Sequence, residues 1–232
     1  MRELLLLFVS ILPVYLIGRY IYNKDRDKEP VGLLAKLFLS GIGSFILTLI
    51  LTLLIGVFIP SLIYDDFNLD MFSLFIHVFF GIALIEEFSK WIFVYKLSYN
   101  NVEYDQVYDM IVYSVFVAIG FACIENVFYV FENGLGVGII RGLLSVPGHA
   151  CDGVFMGYYL SMSKYVSSDT DLKKHYLFMS LFIPVFLHSF YDFCLFSEKY
   201  VFIVVFIFFI IFLYRISYKK VKIMSNATTK FK

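Results

Sequence analysis

Four long apolar runs of this chain carry ionisable side chains where a lipid-spanning helix tolerates none. They hold Glu86 and Glu87, Glu125 beside Asn126, His149, and His188 with Asp192. A charge at the bilayer centre costs roughly 2.5–3.5 kcal/mol even on lenient insertion scales. Several such groups in one small protein therefore require each other, water or a metal. Glutamates and histidines facing one another inside a membrane are the components of a buried hydrolytic site or an ion path.

Composition supports the membrane reading. Of the 232 residues, 60% are hydrophobic and 16% charged, against about 25% charged in soluble domains. Mean hydropathy is +0.81. The 28 Phe and 18 Tyr suit rings packed in lipid and at its interfaces. Residues 1–232 are expected to form a single integral-membrane domain with no sizeable soluble module. The net charge is zero, so no nucleic-acid footprint is present. Cys123, Cys151 and Cys194 lie in apolar runs without metal-type spacing and read as small core residues. The N-terminal apolar run lacks a small-x-small cleavage signal, so it reads as a retained first span.

A span takes about 20 apolar residues. The chain offers seven: 3–22, 32–59, 71–96, 108–131, 138–162, 175–196 and 200–218. The expected fold is all-α and polytopic, about seven transmembrane helices around a central polar cavity. Basic residues crowd the first connection (Arg19, Lys24, Arg26, Lys28, Lys36), the fifth (Lys164, Lys173, Lys174) and the tail (Arg215, Lys219, Lys220, Lys222, Lys230, Lys232). The connection 60–70 holds Asp65, Asp66 and Asp70 with no Lys or Arg, and only Arg2, Arg141 and Lys199 fall on its side. The positive-inside rule then puts the N-terminus outside and the C-terminus in the cytoplasm. An odd number of spans requires the same.

The polar groups fall into four constellations. On a helix Lys90 lies three residues from Glu87 and four from Glu86, so one ammonium serves either carboxylate. The adjacent glutamates point about 100° apart; the pair is either an interhelical ion pair or a base with an orienting neighbour. Glu125 with Asn126 is either a hydrogen-bonded strut or a ligand and proton relay. Pro147 frees the carbonyl of Leu143 just before His149, a break tolerated at membrane depth where it lines a cavity or is buried in protein. Gly153 and Gly157 make a small-xxx-small face for close helix packing. Asp152, three residues past His149, either shares its face or pairs with another helix. His188 and Asp192 are one turn apart, so the carboxylate can hold one ring nitrogen and aim the other inward.

Other polar residues read as structural. His77 has no polar partner nearby in sequence, His175 sits beside Lys173 and Lys174 at an interface, and Asp105 and Asp109 suit capping. Depth links the four constellations. With a 1.5 Å rise per residue, Glu86 lies about 20 Å from the outer end of its span, His149 and His188 about 15 Å, and Glu125 about 10 Å. The groups share one band, tilted to the outer half, and can converge.

In this order the motifs EExxK (Glu86, Glu87, Lys90), FxxxEN (Phe121, Glu125, Asn126), HxxxG (His149, Gly153) and HxxxD (His188, Asp192) resemble the PrsW family of bacterial intramembrane proteases. That family is related to the CAAX-prenyl endopeptidases and bacteriocin-processing enzymes and, distantly, to the APH subunit of gamma-secretase. The likeness extends to the segments ending at Pro30, beginning at Tyr108 and beginning at Arg141.

The resemblance implies a protease of the bacterial cell membrane. It would make the site-1 cut in a single-pass anti-sigma factor, releasing an extracytoplasmic-function sigma factor under envelope or antimicrobial-peptide stress. It also implies that Glu86 or Glu87, with His149, activates a water. His188, supported by Asp192, would hold the oxyanion or the water, and Glu125 would complete the polar shell. Lys90, Asn126 and Asp152 would support them. In the prenyl-endopeptidase relatives an Asn stands where this chain has Asp192. Glu86, Glu125, His149 and His188 can hold Zn²⁺ with an open position; a metal-free, glutamate-dependent reaction fits the same residues. The rival classes are a non-catalytic membrane scaffold and an ion-coupled transporter, the latter without the internal repeat such carriers show.

Overall fold

The structure, a computed structural model, describes residues 1–63, 70–165 and 169–227. Asp65, Asp66, Lys230 and Lys232, which contribute to the charge asymmetry, lie outside the described residues. The described elements are helical. In order they are α1 (Arg2–Lys24), α2 (Val31–Phe58), α3 (Pro60–Ile63), α4 (Met71–Ile76), a π-helical segment (His77–Ala83), α5 (Leu84–Ser98), α6 (Asp109–Asn133), α7 (Leu135–Leu143), α8 (Ser145–Tyr165), α9 (Thr170–Phe196) and α10 (Tyr200–Asn226).

Six helices are long and apolar enough to cross a membrane: α1, α2, the continuous unit Met71–Ser98, α6, α9 and α10. The expectation of seven equivalent apolar spans therefore needs correcting at the fifth. Residues 138–162 are not one helix; α7 ends at Leu143, Leu144 departs from helical geometry at φ −119°, and α8 begins at Ser145. The cause is Pro147, which has no N–H to give to the Leu143 carbonyl. That carbonyl instead accepts from the Tyr214 hydroxyl at 2.9 Å, and Leu144 accepts from the same hydroxyl at 3.3 Å. α7, about 14 Å long at 1.5 Å per residue, is too short to span and packs on α1, Gly138 near Val9 and Gly142 near Pro13.

α6 is the central helix. Of its apolar window 67% is buried, against 22% for α2 and for α10, whose exposed Leu, Ile and Phe side chains form the lipid-facing surface. Neighbours reach α6 through glycines. A methyl group on Gly41 of α2 would lie 2.1 Å from the Val117 carbonyl, and one on Gly120 2.1 Å from the Phe38 carbonyl. On α8, the face read from Gly153 and Gly157 packs on α6: a methyl on Gly157 would meet the Met110 carbonyl at 2.4 Å. These crossings set α2 and α8 in van der Waals register on α6, where dispersion rather than the hydrophobic effect drives association.

The π-helical segment ends three residues before Glu86. It is held by His77, whose Nδ1 lies 2.8 Å from the Leu62 carbonyl, and by Gly81, where any side chain would strike that same carbonyl. A π-turn inserts an extra residue and so rotates everything beyond it. Here it sets the direction in which Glu86 and Glu87 point. His175 is exposed, and Asp109 caps the turn before α6 by accepting the amides of Asp105 and Gln106.

Gly157→Ala is expected to lower the thermal unfolding midpoint of the detergent-solubilised protein, because overpacking against backbone costs about 1–3 kcal/mol. Gly136→Ala, which meets nothing within 4 Å, is the control and should be neutral or slightly stabilising. Equal behaviour of the two would contradict the α6–α8 crossing.

Candidate functional site

Four helices bring the ionisable groups together: α5 supplies Glu86, Glu87 and Lys90; α6 supplies Glu125; α8 supplies His149 and Asp152; α9 supplies His188 and Asp192. The Lys90 ammonium lies at the centre. It donates to Glu87 Oε1 at 2.7 Å and to His149 Nδ1 at 3.1 Å, and lies 3.5 Å from Glu86 Oε2 and 4.0 Å from the Phe121 ring centre. Because an ammonium only donates, His149 Nδ1 is an acceptor here, and the ring proton sits on Nε2. That Nε2–H donates to Glu125 Oε2 at 3.0 Å.

His188 stands among carboxylates on the other side. Its Nδ1 faces Glu87 Oε1 at 2.8 Å and Asp152 Oδ2 at 4.0 Å, while Nε2 faces Asp192 Oδ2 at 3.3 Å. His149 Nδ1 thus accepts from an ammonium whereas His188 Nδ1 donates to a carboxylate; each ring has Nε2 beside a carboxylate, and His188 Nε2 also lies 3.8 Å from Glu86 Oε2. Carboxylates behind histidines fix ring orientation and raise the basicity of the inward nitrogen.

Glu86 and Glu87 differ in access. Glu87 is fully buried, whereas Glu86 is 14% exposed and lines a cavity of about 200 Å³ together with Glu125, His149, Asp152, His188 and Asp192. Glu86 Oε2 accepts no hydrogen bond among the described residues, and neither do Glu87 Oε2 and Asp152 Oδ1. Orphaned buried oxygens of this kind call for a further partner.

The donor set fits a divalent metal. Glu87, His149, Asp152 and His188 each offer one ligand atom, all within 4.8 Å of one another. Two nitrogens and two carboxylate oxygens suit Zn²⁺ and similar ions. Charge points the same way: five carboxylates converge here when ionised, against the two permanent cations Lys90 and Arg141. Compared with the set expected from sequence, His149 and His188 recur. Glu86 is beside the group rather than in it. Glu125 lies behind His149, where it also pairs with Arg141 at 2.7 Å.

Arg141 was not singled out from sequence as a site residue. It reaches from α7 to Glu125, its Nε donates to Asn126 Oδ1 at 3.3 Å, and it stacks 3.9 Å above the Tyr129 ring. The signal was present, since an arginine inside the apolar run 138–162 needs a carboxylate as much as Glu125 needs a cation. Asn126 is wholly buried and spends its amide on the Ser10 carbonyl at 3.0 Å, so its donor points at α1 and not into the cavity. Tyr191 lines the cavity and shares a 3.3 Å hydrogen bond with Ser145.

A cavity among the helices of a membrane protein, walled by paired histidines and carboxylates, defines a polytopic enzyme with a hydrolytic centre inside its helical bundle. Residues 29–215 match the family described as PrsW family intramembrane metalloprotease, and the chain belongs to it. Relatives named Protease PrsW include those of Oceanobacillus iheyensis, 38% identical over 82% of both chains, and Clostridioides difficile, 34% identical over 97% of this chain and 93% of that one. That of Bacillus subtilis is 32% identical over 80% of each. No solved structure matches. The chain is thus a multi-pass membrane metalloprotease of a bacterial family.

Lys90→Met is expected to destabilise the protein by about 3–5 kcal/mol, the cost of leaving a buried carboxylate without its partner. Adding Glu87→Gln should recover part of that loss in thermal or denaturant unfolding. A Lys90→Met protein as stable as the parent would contradict the central place of the ammonium.

Proposed function

We propose that residues 1–232 act as one integral-membrane endopeptidase domain that cuts a single-pass membrane protein in the outer half of the bilayer. The observation that carries this reading is the close group of Glu87, His149, Asp152 and His188, of which the last three line a cavity together with Glu86. Those four residues would hold the divalent ion. Such an ion polarises a carbonyl and lowers the pKa of water when bound.

Glu86 is the general base in this proposal. It faces the cavity, its Oε2 is without a hydrogen-bond partner, and a glutamate in a dry site can accept a proton from water and return it to a leaving amine. Glu87 is clasped by Lys90 and His188 and serves as ligand. Glu125 and Asp192 hold the Nε2–H groups of His149 and His188, and Arg141 anchors Glu125. Asp192, standing where an amide would be, offers no side-chain N–H to an oxyanion. Asn126 is a positioning residue for Arg141.

The orientation proposed is N-terminus outside and C-terminus cytoplasmic, from the basic residues around α1–α2 and after α10, with the buried α8 as a seventh crossing among the six apolar spans. The cavity then lies toward the outer leaflet, which suits an extracytoplasmic cut. On that basis the substrate proposed is an anti-sigma factor, and the cut is the first of two that free its sigma factor under envelope stress.

The test is cleavage of a tagged single-pass anti-sigma factor by the pure protein in liposomes. Glu86→Gln and His188→Ala should each reduce cleavage at least about 100-fold while keeping parental helicity. A scaffold predicts no cleavage by the parent, and a transporter predicts ion flux without cleavage. Normal cutting by both variants would remove Glu86 and His188 from the mechanism. Chelation should abolish activity and added divalent metal restore it; activity that survives exhaustive chelation would exclude the metal-dependent route.

A further inference from the structure

A second acidic group lies far from the hydrolytic centre. We propose that Asp25, Glu29 and Asp109 form a site for a hard divalent cation of the magnesium or manganese class. Asp25 and Glu29 stand in the connection between α1 and α2, and Asp109 is the first residue of α6. Sixteen residues of α6 separate Asp109 from Glu125, about 24 Å at the helical rise.

One oxygen from each of the three lies within 4.8 Å of the others, and all three side chains are buried. Lys164 acts on Asp109 through space, as Lys28 does on Asp25. Lys28, the nearest cation in sequence, turns its ammonium to the Tyr22 and Asp25 carbonyls. Three carboxylates gathered out of water are costly to ionise together.

Asp109 supplies the second observation. Its side chain is wholly buried; Oδ2 accepts the amides of Asp105 and Gln106 at 3.0 and 2.7 Å, yet Oδ1 has no partner among the described residues. Oδ1 is the oxygen left for a ligand. Glu29 Oε2 accepts from the Tyr113 hydroxyl at 2.6 Å, and Asp25 Oδ2 takes the Glu29 amide at 3.4 Å. Burial pushes the Glu29 carboxyl up to about 8 and Asp25 above its usual range.

The donor chemistry decides the class of ion. All the donors are carboxylate oxygens, with no imidazole or thiolate, which favours Mg²⁺, Mn²⁺ or Ca²⁺ over zinc. A cation there would pin the α1–α2 connection to the start of the central helix.

The experiment uses the full chain in detergent, stripped with chelator and titrated with Mn²⁺ while free Mn²⁺ is followed by electron paramagnetic resonance. The parent should bind one Mn²⁺ that His188→Ala does not remove. Glu29→Gln and Asp109→Asn should each weaken that binding at least about tenfold and abolish the rise in thermal midpoint that Mn²⁺ gives the parent. Should Asp109→Asn fail to fold, Glu29→Gln, whose amide oxygen still accepts from Tyr113, decides the matter. Mn²⁺ binding unchanged in Glu29→Gln overturns the proposal. So does a parent that ignores Mn²⁺ while Glu29→Gln is stabilised, the result expected if the three carboxylates merely share protons.

Discussion

One ammonium holds the interior of this protein together. Lys90 is 1% exposed and touches Glu86, Glu87, His149 and the ring of Phe121. In a lipid-surrounded interior each of those polar groups would be several kcal/mol uphill alone. Gathering them about one cation offsets that cost and at the same time fixes the proton on His149. The ionic network is therefore both what the apolar helices must enclose and what orients the site. A buried pair of this kind is weak evidence for stability but strong evidence for a specified arrangement, because losing either partner strands the other.

The helical frame is built to keep that network in register. Glycine contacts bring α2 and α8 onto the backbone of α6, so small rotations are resisted by hard atoms and not by flexible side chains. The π-helical segment before α5 and the break before α8 are irregularities that sit beside site residues. At the break Tyr214 satisfies the carbonyl freed at Leu143, while Leu144 keeps the Gly148 amide. This is how irregular backbone at membrane depth is accommodated, with neighbours restoring the lost hydrogen bonds.

Much of the architecture was legible in the residues because short-range periodicity carries it. Lys90 three and four residues from its glutamates, Asp192 one turn from His188 and the Gly153/Gly157 face all depend only on helix geometry, and each is found as that geometry dictates. Pro147 marked a break, yet the run 138–162 still read as one span because its hydropathy is continuous across Leu144. What could not be read was the phase of one helix against another. Asp152, and not Glu125, faces the space between the histidines, and that follows from the rotation of α8 on α6. The π-turn adds a further rotation ahead of Glu86. Arg141 was visible as a stray charge, but its partner lay across a turn whose direction the sequence does not encode. Asn126 turns toward α1 for the same kind of reason, claimed by the Ser10 carbonyl.

The central claim is that two inward-facing imidazoles and neighbouring carboxylates make one metal-binding pocket within the membrane. X-ray absorption at the metal edge of the loaded, purified protein tests it most directly. The account predicts a shell of nitrogen and oxygen only, with two imidazoles, one of which disappears in His149→Ala and one in His188→Ala. Sulfur in that shell, a shell unchanged by both substitutions, or no stoichiometric metal after loading would contradict it.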